Sequence, residues 1–204
     1  IGTINSDKRL LRPANYPASA PGQGYVVHTT PKGQLVLVIN AMARLFMEAL
    51  DDPFQTVEEV LKKYPMPYAV QAIVLDFHGE ATSEKMAMGH YCDGRVSLVV
   101  GTHTHVPTAD QQILTNGTAY QSDAGMCGDY NSVIGMTKEA LLYKFTKRLP
   151  PPERPIPAKG EATLCGLLLV TNDATGLAEK IFPIRLGGCL SQTSLEDIEK
   201  QLTF

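Results

Sequence analysis

Three of the five histidines follow short apolar runs that are typical of buried strands. His78 comes directly after Ala72–Phe77, and His103 and His105 come soon after Val96–Val100. If these two strands are parallel neighbours, their carboxyl ends meet at one edge of the sheet, where ligands bind in open α/β folds. The intervening chain is long enough for the crossover that parallel strands need. The sequence therefore predicts that the three imidazoles converge.

Imidazole is a ligand for zinc, iron, manganese and similar ions, so the chemistry indicated is metal binding. In an extended segment alternate side chains point the same way, so His103 and His105 could reach one metal or two adjacent metals. The alternative is that they are two half-exposed surface histidines. His28 and His90 do not follow strands in this way, and we interpret them as ordinary surface or partly buried residues.

Three carboxylates could support such a site. Asp76 and Glu80 flank His78, and they could orient ligands by hydrogen bonding or simply cap the next helix, the role we favour for Glu80. Asp123 ends a predicted strand and could reach the site. Equally, its surroundings are typical of a turn in which Asp bonds its own backbone.

The elements that must position these residues mix strands with helices. Predicted strands cover residues 24–28, 35–39, 72–77, 96–100, 113–115, 118–120, 162–171 and 178–186. Predicted helices begin after Asp52 with Pro at the first position, after Thr82, and after Thr137, with a last short helix opened by a capping box at Thr193–Glu196. The first twenty residues are rich in proline and predict an extended lead-in. The pattern indicates an α/β or α+β domain with much antiparallel pairing.

Composition narrows the function classes. The chain has 204 residues, 44% of them hydrophobic, which is enough for one domain over residues 1–204. A formal charge of −3 argues against a broadly basic nucleic-acid binder, and no apolar run is long enough to span a membrane. The four cysteines form no C-x-x-C pair, which excludes zinc-ribbon and thioredoxin motifs. We expect reduced cysteines and a cytoplasmic protein.

Several blocks in order resemble the bacterial 2′,3′-cyclic-nucleotide 2′-phosphodiesterases, a family of calcineurin-like metallophosphoesterases. The resemblance covers nearly the whole chain. It is carried by Arg9–Pro17, Asp76–Lys85, Asp93–Ser97, Val100–Val106, Thr108–Asp110, Gly117–Tyr120, Asp123–Met126 and Ser132–Gly135.

The resemblance implies a sandwich of two mixed sheets flanked by helices, with two divalent metal ions (Fe, Mn or Zn) at the strand ends. By this likeness, His78 and His103 bind one metal and His105 binds the other. The implied reaction is hydrolysis of 2′,3′-cyclic nucleotides and artificial phosphodiesters by metal-activated water. The implied partners are a small-molecule phosphodiester and further copies of the chain, with neither a membrane nor a long nucleic acid.

The family also has Gly-Asp, Glu-Asn and Gly-Asn-His motifs, which supply further ligands and the general acid. Glu-Asn and Gly-Asn-His do not occur in this chain, Gly-Asp occurs only at Gly128–Asp129, and the family would place all three motifs before the first residue. We therefore expect the C-terminal part of such an enzyme, without its N-terminal strands, that alone binds metal weakly and hydrolyses little. Two alternatives remain: an inactive homologue that binds a nucleotide or a partner, and a hydrolase with a single metal on the three histidines.

Overall fold

The computed structural model describes residues 2–202, which divide into two compact units. The first unit contains residues 2–103, Thr108–Asp123 and Leu169–Ile181. The second contains Thr104–Pro107, Ala124–Leu168 and residues 182–202. None of the helices within 2–202 is both long and apolar enough to cross a membrane.

Helices and strands alternate along much of the chain. The helices are α1 (Gly2–Ser6), α2 (Pro53–Lys63), α3 (Thr82–Cys92), α4 (Lys138–Lys147) and α5 (Leu195–Leu202). The strands are β1 (Tyr25–Thr29), β2 (Leu35–Met42), β3 (Ala72–His78), β4 (Leu98–Thr102), β5 (Gln112–Ile113), β6 (Ala119–Gln121), β7 (Gly128–Asp129), β8 (Ala162–Thr171) and β9 (Ala178–Leu186). The start of the chain is thus helical over five residues before the first proline, where an extended lead-in was expected.

The first unit contains a mixed six-stranded sheet in the order β1-β2-β3-β4-β6-β5. The four central strands are parallel, while β1 and β5 pair antiparallel at the two edges. The predicted parallel pairing of β3 with β4 is therefore confirmed, and its register places His78 opposite Thr102. The connection between them is α3, as a parallel crossover requires.

One face of this sheet carries the core of the first unit. Ile73, Leu75 and Phe77 on β3 are fully buried and belong to the same cluster as Val57 on α2 and Met88 on α3. The other residues of β3 are only partly buried, so burial alternates along the strand. The continuous apolar run had predicted a strand buried on both faces. The helices α2 and α3 contribute to the core on one face only.

The cap of α2 agrees with the prediction. Asp52 accepts hydrogen bonds from the amides of Phe54 (2.8 Å) and Gln55 (3.2 Å), and Pro53 occupies the first helical position. By contrast, α3 begins one residue earlier than predicted. Its N-cap is Ala81, without a side-chain hydrogen bond, so Thr82 does not cap the helix.

Replacing Asp52 by Ala should lower the free energy of unfolding by about 1 kcal/mol, because two amides in the first turn lose their acceptor. Asp51→Ala removes the neighbouring acidic side chain, which is exposed, and should change stability much less. Urea denaturation of both variants measures the difference. Equal losses would mean that the charge of this segment matters and the cap does not.

The second unit contains α4, α5, β7, residues 162–168 of β8 and residues 182–186 of β9. The strands β7, β8 and β9 form a three-stranded sheet in that order, and β8 and β9 have the predicted bounds. Helix α4 begins after Thr137, as predicted, and ends at Lys147, because Arg148 adopts a left-handed conformation with φ 55°. With one mixed sheet, a second sheet and intervening helices, the predicted α/β class is confirmed.

Candidate metal centre

The structure brings two of the three predicted histidines together at the carboxyl end of β3 and β4. His78 Nε2 lies 3.2 Å from His103 Nδ1, and the two rings meet edge to face with their centroids 4.9 Å apart. The parallel pairing of the two strands produces this contact, since His78 ends β3 and His103 directly follows β4. Sequence reasoning from strand ends predicted this pair.

A chain of hydrogen bonds orients the His78 ring. Its Nδ1 lies 2.9 Å from the hydroxyl oxygen of Thr102, and that hydroxyl donates its proton to Asp76 Oδ1 at 2.8 Å. Because the single hydroxyl proton is used on Asp76, the Thr102 oxygen accepts from His78 Nδ1–H. We therefore assign the proton of His78 to Nδ1, which leaves a lone pair on Nε2. Asn40 donates to the other oxygen of Asp76 at 2.8 Å and holds the carboxylate in place.

The His103 ring is oriented by Glu80, whose Oε2 lies 3.0 Å from His103 Nε2. A carboxylate accepts, so Nε2 of His103 carries a proton, and in the neutral ring Nδ1 presents a lone pair to His78. The expected capping role of Glu80 is therefore wrong, since Ala81 is the N-cap of α3. Asp76, in contrast, takes the orienting role that was one of its two alternatives.

With both rings neutral, two lone pairs lie close together, on His78 Nε2 and on His103 Nδ1 at a distance of 3.2 Å. Such an arrangement is repulsive unless a proton or a metal ion lies between the nitrogens. Burial lowers the pKa of His78, and the neighbouring His103 lowers it further. Protonation of His78 is therefore unfavourable, and a metal ion is one way to satisfy both nitrogens.

The separation also fits a metal ion sterically. Two imidazole nitrogens that each bind an ion at about 2.0–2.1 Å lie 3.2 Å apart when the angle between them is about 100°. Across residues 2–202, however, no three His, Cys, Asp or Glu side chains are grouped to hold a metal. The described part of the chain therefore offers two candidate nitrogen ligands at this point and not a complete ligand set.

The structure places His105 in the second unit. Its Nδ1 lies 2.8 Å from the carbonyl oxygen of Ile134. The chain bends after β4, with φ 126° at His103 and φ 67° at His105, values that non-glycine residues rarely adopt. The extended segment from which we expected His103 and His105 to point the same way is therefore absent. Metal binding by His105 stays a prediction that follows from the family resemblance.

Asp123 lies at the end of β6 and is buried. Its Oδ2 lies 3.1 Å from Nζ of Lys85, and both side chains are 2% exposed. The predicted alternatives for Asp123 were a functional carboxylate and a turn, and neither included this ion pair. One signal in the sequence could have revealed it: Lys85 shares the apolar face of α3 with Met88 and Cys92, where a charged residue requires a partner.

The two remaining histidines lie on the surface, as expected. His28 is on β1 and His90 is on α3, and both are exposed. All four cysteines are free thiols, two of them buried and two exposed.

Comparisons with known proteins agree with the resemblance. The family model described as YmdB-like protein matches residues 1–184. A Bacillus subtilis (strain 168) protein named 2′,3′-cyclic-nucleotide 2′-phosphodiesterase is 44% identical over 180 residues, which cover 87% of this chain and 66% of that protein. The chain thus spans just under two thirds of the length of this relative.

Two crystal structures are also similar. A hypothetical protein from Thermus thermophilus has a TM-score of 0.82 and 38% identity over 92% of this chain and 71% of the other. A Mycoplasma pneumoniae protein described as a novel phosphatase has a TM-score of 0.80 and 31% identity, over 97% of this chain and 68% of the other. Since the family model covers most of the sequence, the chain belongs to the family of YmdB-like proteins.

Proposed function

We propose that this chain is part of a metal-dependent phosphodiesterase that hydrolyses 2′,3′-cyclic nucleotides. The observation that carries the proposal is the position of His78 Nε2 and His103 Nδ1, which lie 3.2 Å apart at the carboxyl ends of two parallel strands while Thr102 and Glu80 hold the other nitrogen of each ring. The B. subtilis relative, named 2′,3′-cyclic-nucleotide 2′-phosphodiesterase, supports the substrate class. The proposed cofactors are two divalent ions, of Fe, Mn or Zn.

In this mechanism, His78 and His103 would hold one ion, and His105 would contribute to the second. A bound divalent ion supplies a Lewis acid and generates a nucleophile from water at neutral pH. The chain's own contribution is orientation. Thr102 and Asp76 keep the proton of His78 on Nδ1, and Glu80 keeps the proton of His103 on Nε2, so that the other nitrogen of each ring is available to a metal.

A second candidate is a protein that keeps the fold to bind a nucleotide or a partner without catalysis. The observation in its favour is that residues 2–202 contain no group of three metal-ligating side chains. The two candidates differ in turnover and not in metal binding. For the same reason we expect this chain alone to bind metal weakly and to hydrolyse phosphodiesters slowly.

The proposed enzyme also has an expected substrate size, compartment and oligomeric state. The substrate would be a small phosphodiester and not a long nucleic acid, which agrees with the net charge of −3. The free thiols fit a reducing compartment, and we propose the cytoplasm. The homo-oligomer that the family resemblance implies stays a prediction.

Titration of the 204-residue chain with Mn²⁺ or Co²⁺ by calorimetry tests the proposed metal centre. We expect binding that weakens at least about 100-fold in His78→Ala and in His103→Ala, because each removes one of two nitrogen ligands. His90→Ala is the matched control, since this histidine is exposed on α3, and it should bind like the parent. Unchanged affinity in both site variants would contradict the metal centre.

Hydrolysis of 2′,3′-cyclic AMP and bis-p-nitrophenyl phosphate with Mn²⁺ tests the activity, with the B. subtilis relative as positive control. We expect slow release of a 3′-nucleotide that disappears in His78→Ala and His103→Ala. Metal binding with no turnover at all would favour the second candidate. Turnover that survives in both variants would show that another site performs the reaction.

A further inference from the structure

Two adjacent charged residues of α3 lie in the interior of the first unit. Glu84 is 9% exposed and Lys85 is 2% exposed. Charged side chains are seldom buried unless they are paired, because the loss of hydration must be offset by specific partners. The partners of these two residues lie in the segments that follow β2 and β6, close to the sheet edge that carries the histidines.

Glu84 holds the segment after β2 through its carboxylate. Its Oε1 accepts the amide of Arg44 at 3.0 Å, and its Oε2 accepts the amide of Leu45 at 2.8 Å. Hydrogen bonds to an ionised acceptor are stronger than neutral ones. The preceding residue, Ala43, donates its amide to the carbonyl oxygen of His78 at 2.9 Å. Glu84 therefore fixes a segment that is bonded directly to the His78 backbone.

Lys85 supports the other histidine in a similar way. Its ammonium group is paired with Asp123 at the end of β6, at 3.1 Å. Its aliphatic part lies against β4, because a Cβ placed on Gly101 would be only 2.9 Å from Lys85 Cδ. Gly101 precedes His103 by two residues. Lys85 thus contacts the strand end that presents His103 and ties it to the neighbouring strand.

We propose that Glu84 and Lys85 are positioning residues that set the separation of the His78 and His103 rings. Neither would be a ligand, and both would act through the backbone segments that they hold. A separation near 3.2 Å suits one metal ion, so loosening either segment would weaken metal binding without removing a ligand. The expected effect on metal binding rests on the proposed function of the His78–His103 pair.

Calorimetric titration with Co²⁺ tests the inference on the complete chain. We expect about tenfold weaker Co²⁺ binding in Lys85→Met and in Glu84→Gln. Loss of a group that orients a metal ligand typically weakens metal binding by about 10- to 100-fold, and this expectation is at the lower end of that range. Lys85→Met leaves Asp123 buried without its ammonium partner and threatens the fold. The double variant Lys85→Met with Asp123→Asn removes both charges and keeps similar side-chain volumes. It replaces Lys85→Met in the titration if the single variant does not fold.

Arg95→Met is the matched control. Arg95 forms an ion pair with Glu58 at 2.6 Å, but it precedes β4, at the opposite end of this strand from His103. This variant should lose an ion pair and keep the parent affinity for Co²⁺. The comparison separates two effects. A general loss of stability would leave the Co²⁺ affinity of the folded fraction unchanged, whereas a loss of positioning would lower it.

Amide hydrogen exchange on the metal-free protein gives a second readout. The amides of Ala43 and Gly79 donate to His78 and Thr102 across the sheet edge, so they report its geometry. In Glu84→Gln and Lys85→Met, we expect these amides to exchange at least about tenfold faster than the rate calculated from the unfolding free energy of each variant.

These outcomes distinguish the two proposals. Faster edge exchange with no Co²⁺ binding by the parent chain would overturn the proposed function and retain the positioning role. Parent-like exchange and parent-like Co²⁺ affinity in Glu84→Gln and the Lys85 variants would overturn the positioning role. Where neither Lys85 variant folds, Glu84→Gln, which changes a single atom, decides the question.

Discussion

Gly101→Val should lower the free energy of unfolding by about 3 kcal/mol or more, enough to leave much of the chain unfolded at moderate temperature. A Cβ at this position would collide with the carbonyl oxygen and carbon of Ser122, at the end of the adjacent strand β6. Ser122 cannot retreat easily, because its amide and hydroxyl bond to Asp110 (3.2 Å) and Thr108 (3.1 Å). Relief of the collision therefore requires separation of the two strands.

Gly166→Ala provides the control for this substitution. Gly166 also lies in a strand, β8, but a Cβ there would meet nothing within 4 Å. We expect a change within about 0.5 kcal/mol, of either sign. Urea denaturation followed by circular dichroism measures both variants. Equal stability of the two variants would mean that β4 and β6 are not packed as closely as the structure shows.

Phe77→Ala should cost about 3–5 kcal/mol, because it removes a large side chain from the core and leaves a cavity. Phe77 is fully buried on the central strand β3 and makes an edge-to-face contact with Phe54 of α2, with ring centroids 6.4 Å apart. It also directly precedes His78. We therefore expect the stability loss to be accompanied by weaker metal binding in the fraction that remains folded.

The matched control for the core is Phe145→Ala. Phe145 lies on α4 and is 67% exposed, so its removal transfers little apolar surface to water. Thermal and urea unfolding should differ little from those of the parent. A loss comparable to that of Phe77→Ala would place this ring in an interface that covers it in solution.

Much of the fold could be predicted because its signals are local. The bounds of β8 and β9 follow from apolar residues on either side of a turn, and Asp52 with Pro53 marks the start of α2. Helix ends were predicted less well. Ala81 caps α3 without a side chain, and Arg148 ends α4 by adopting a left-handed backbone, for which its residue type has no preference.

The candidate site was predictable where it depends on strand ends. His78 and His103 meet because each completes or follows a parallel strand, and both strands are visible as apolar runs. The roles of Glu80 and Lys85 were not predictable in this way. Glu80 bonds a ring that follows another strand, and Lys85 pairs with a carboxylate 38 residues away. Helical spacing shows that Lys85 needs a partner, but it does not show which residue that partner is.

The order of apolar runs and histidines along the chain indicated by itself a mixed α/β or α+β class, two strands that could pair in parallel, and the residues with metal-ligand chemistry. These properties follow from local periodicity and from the residue types at strand ends. Only the tertiary structure decided which partners the ring nitrogens have, how the chain bends at His103, and which buried charges lie near the edge. Those features depend on hydrogen bonds and backbone angles between residues that only the folded chain brings into contact.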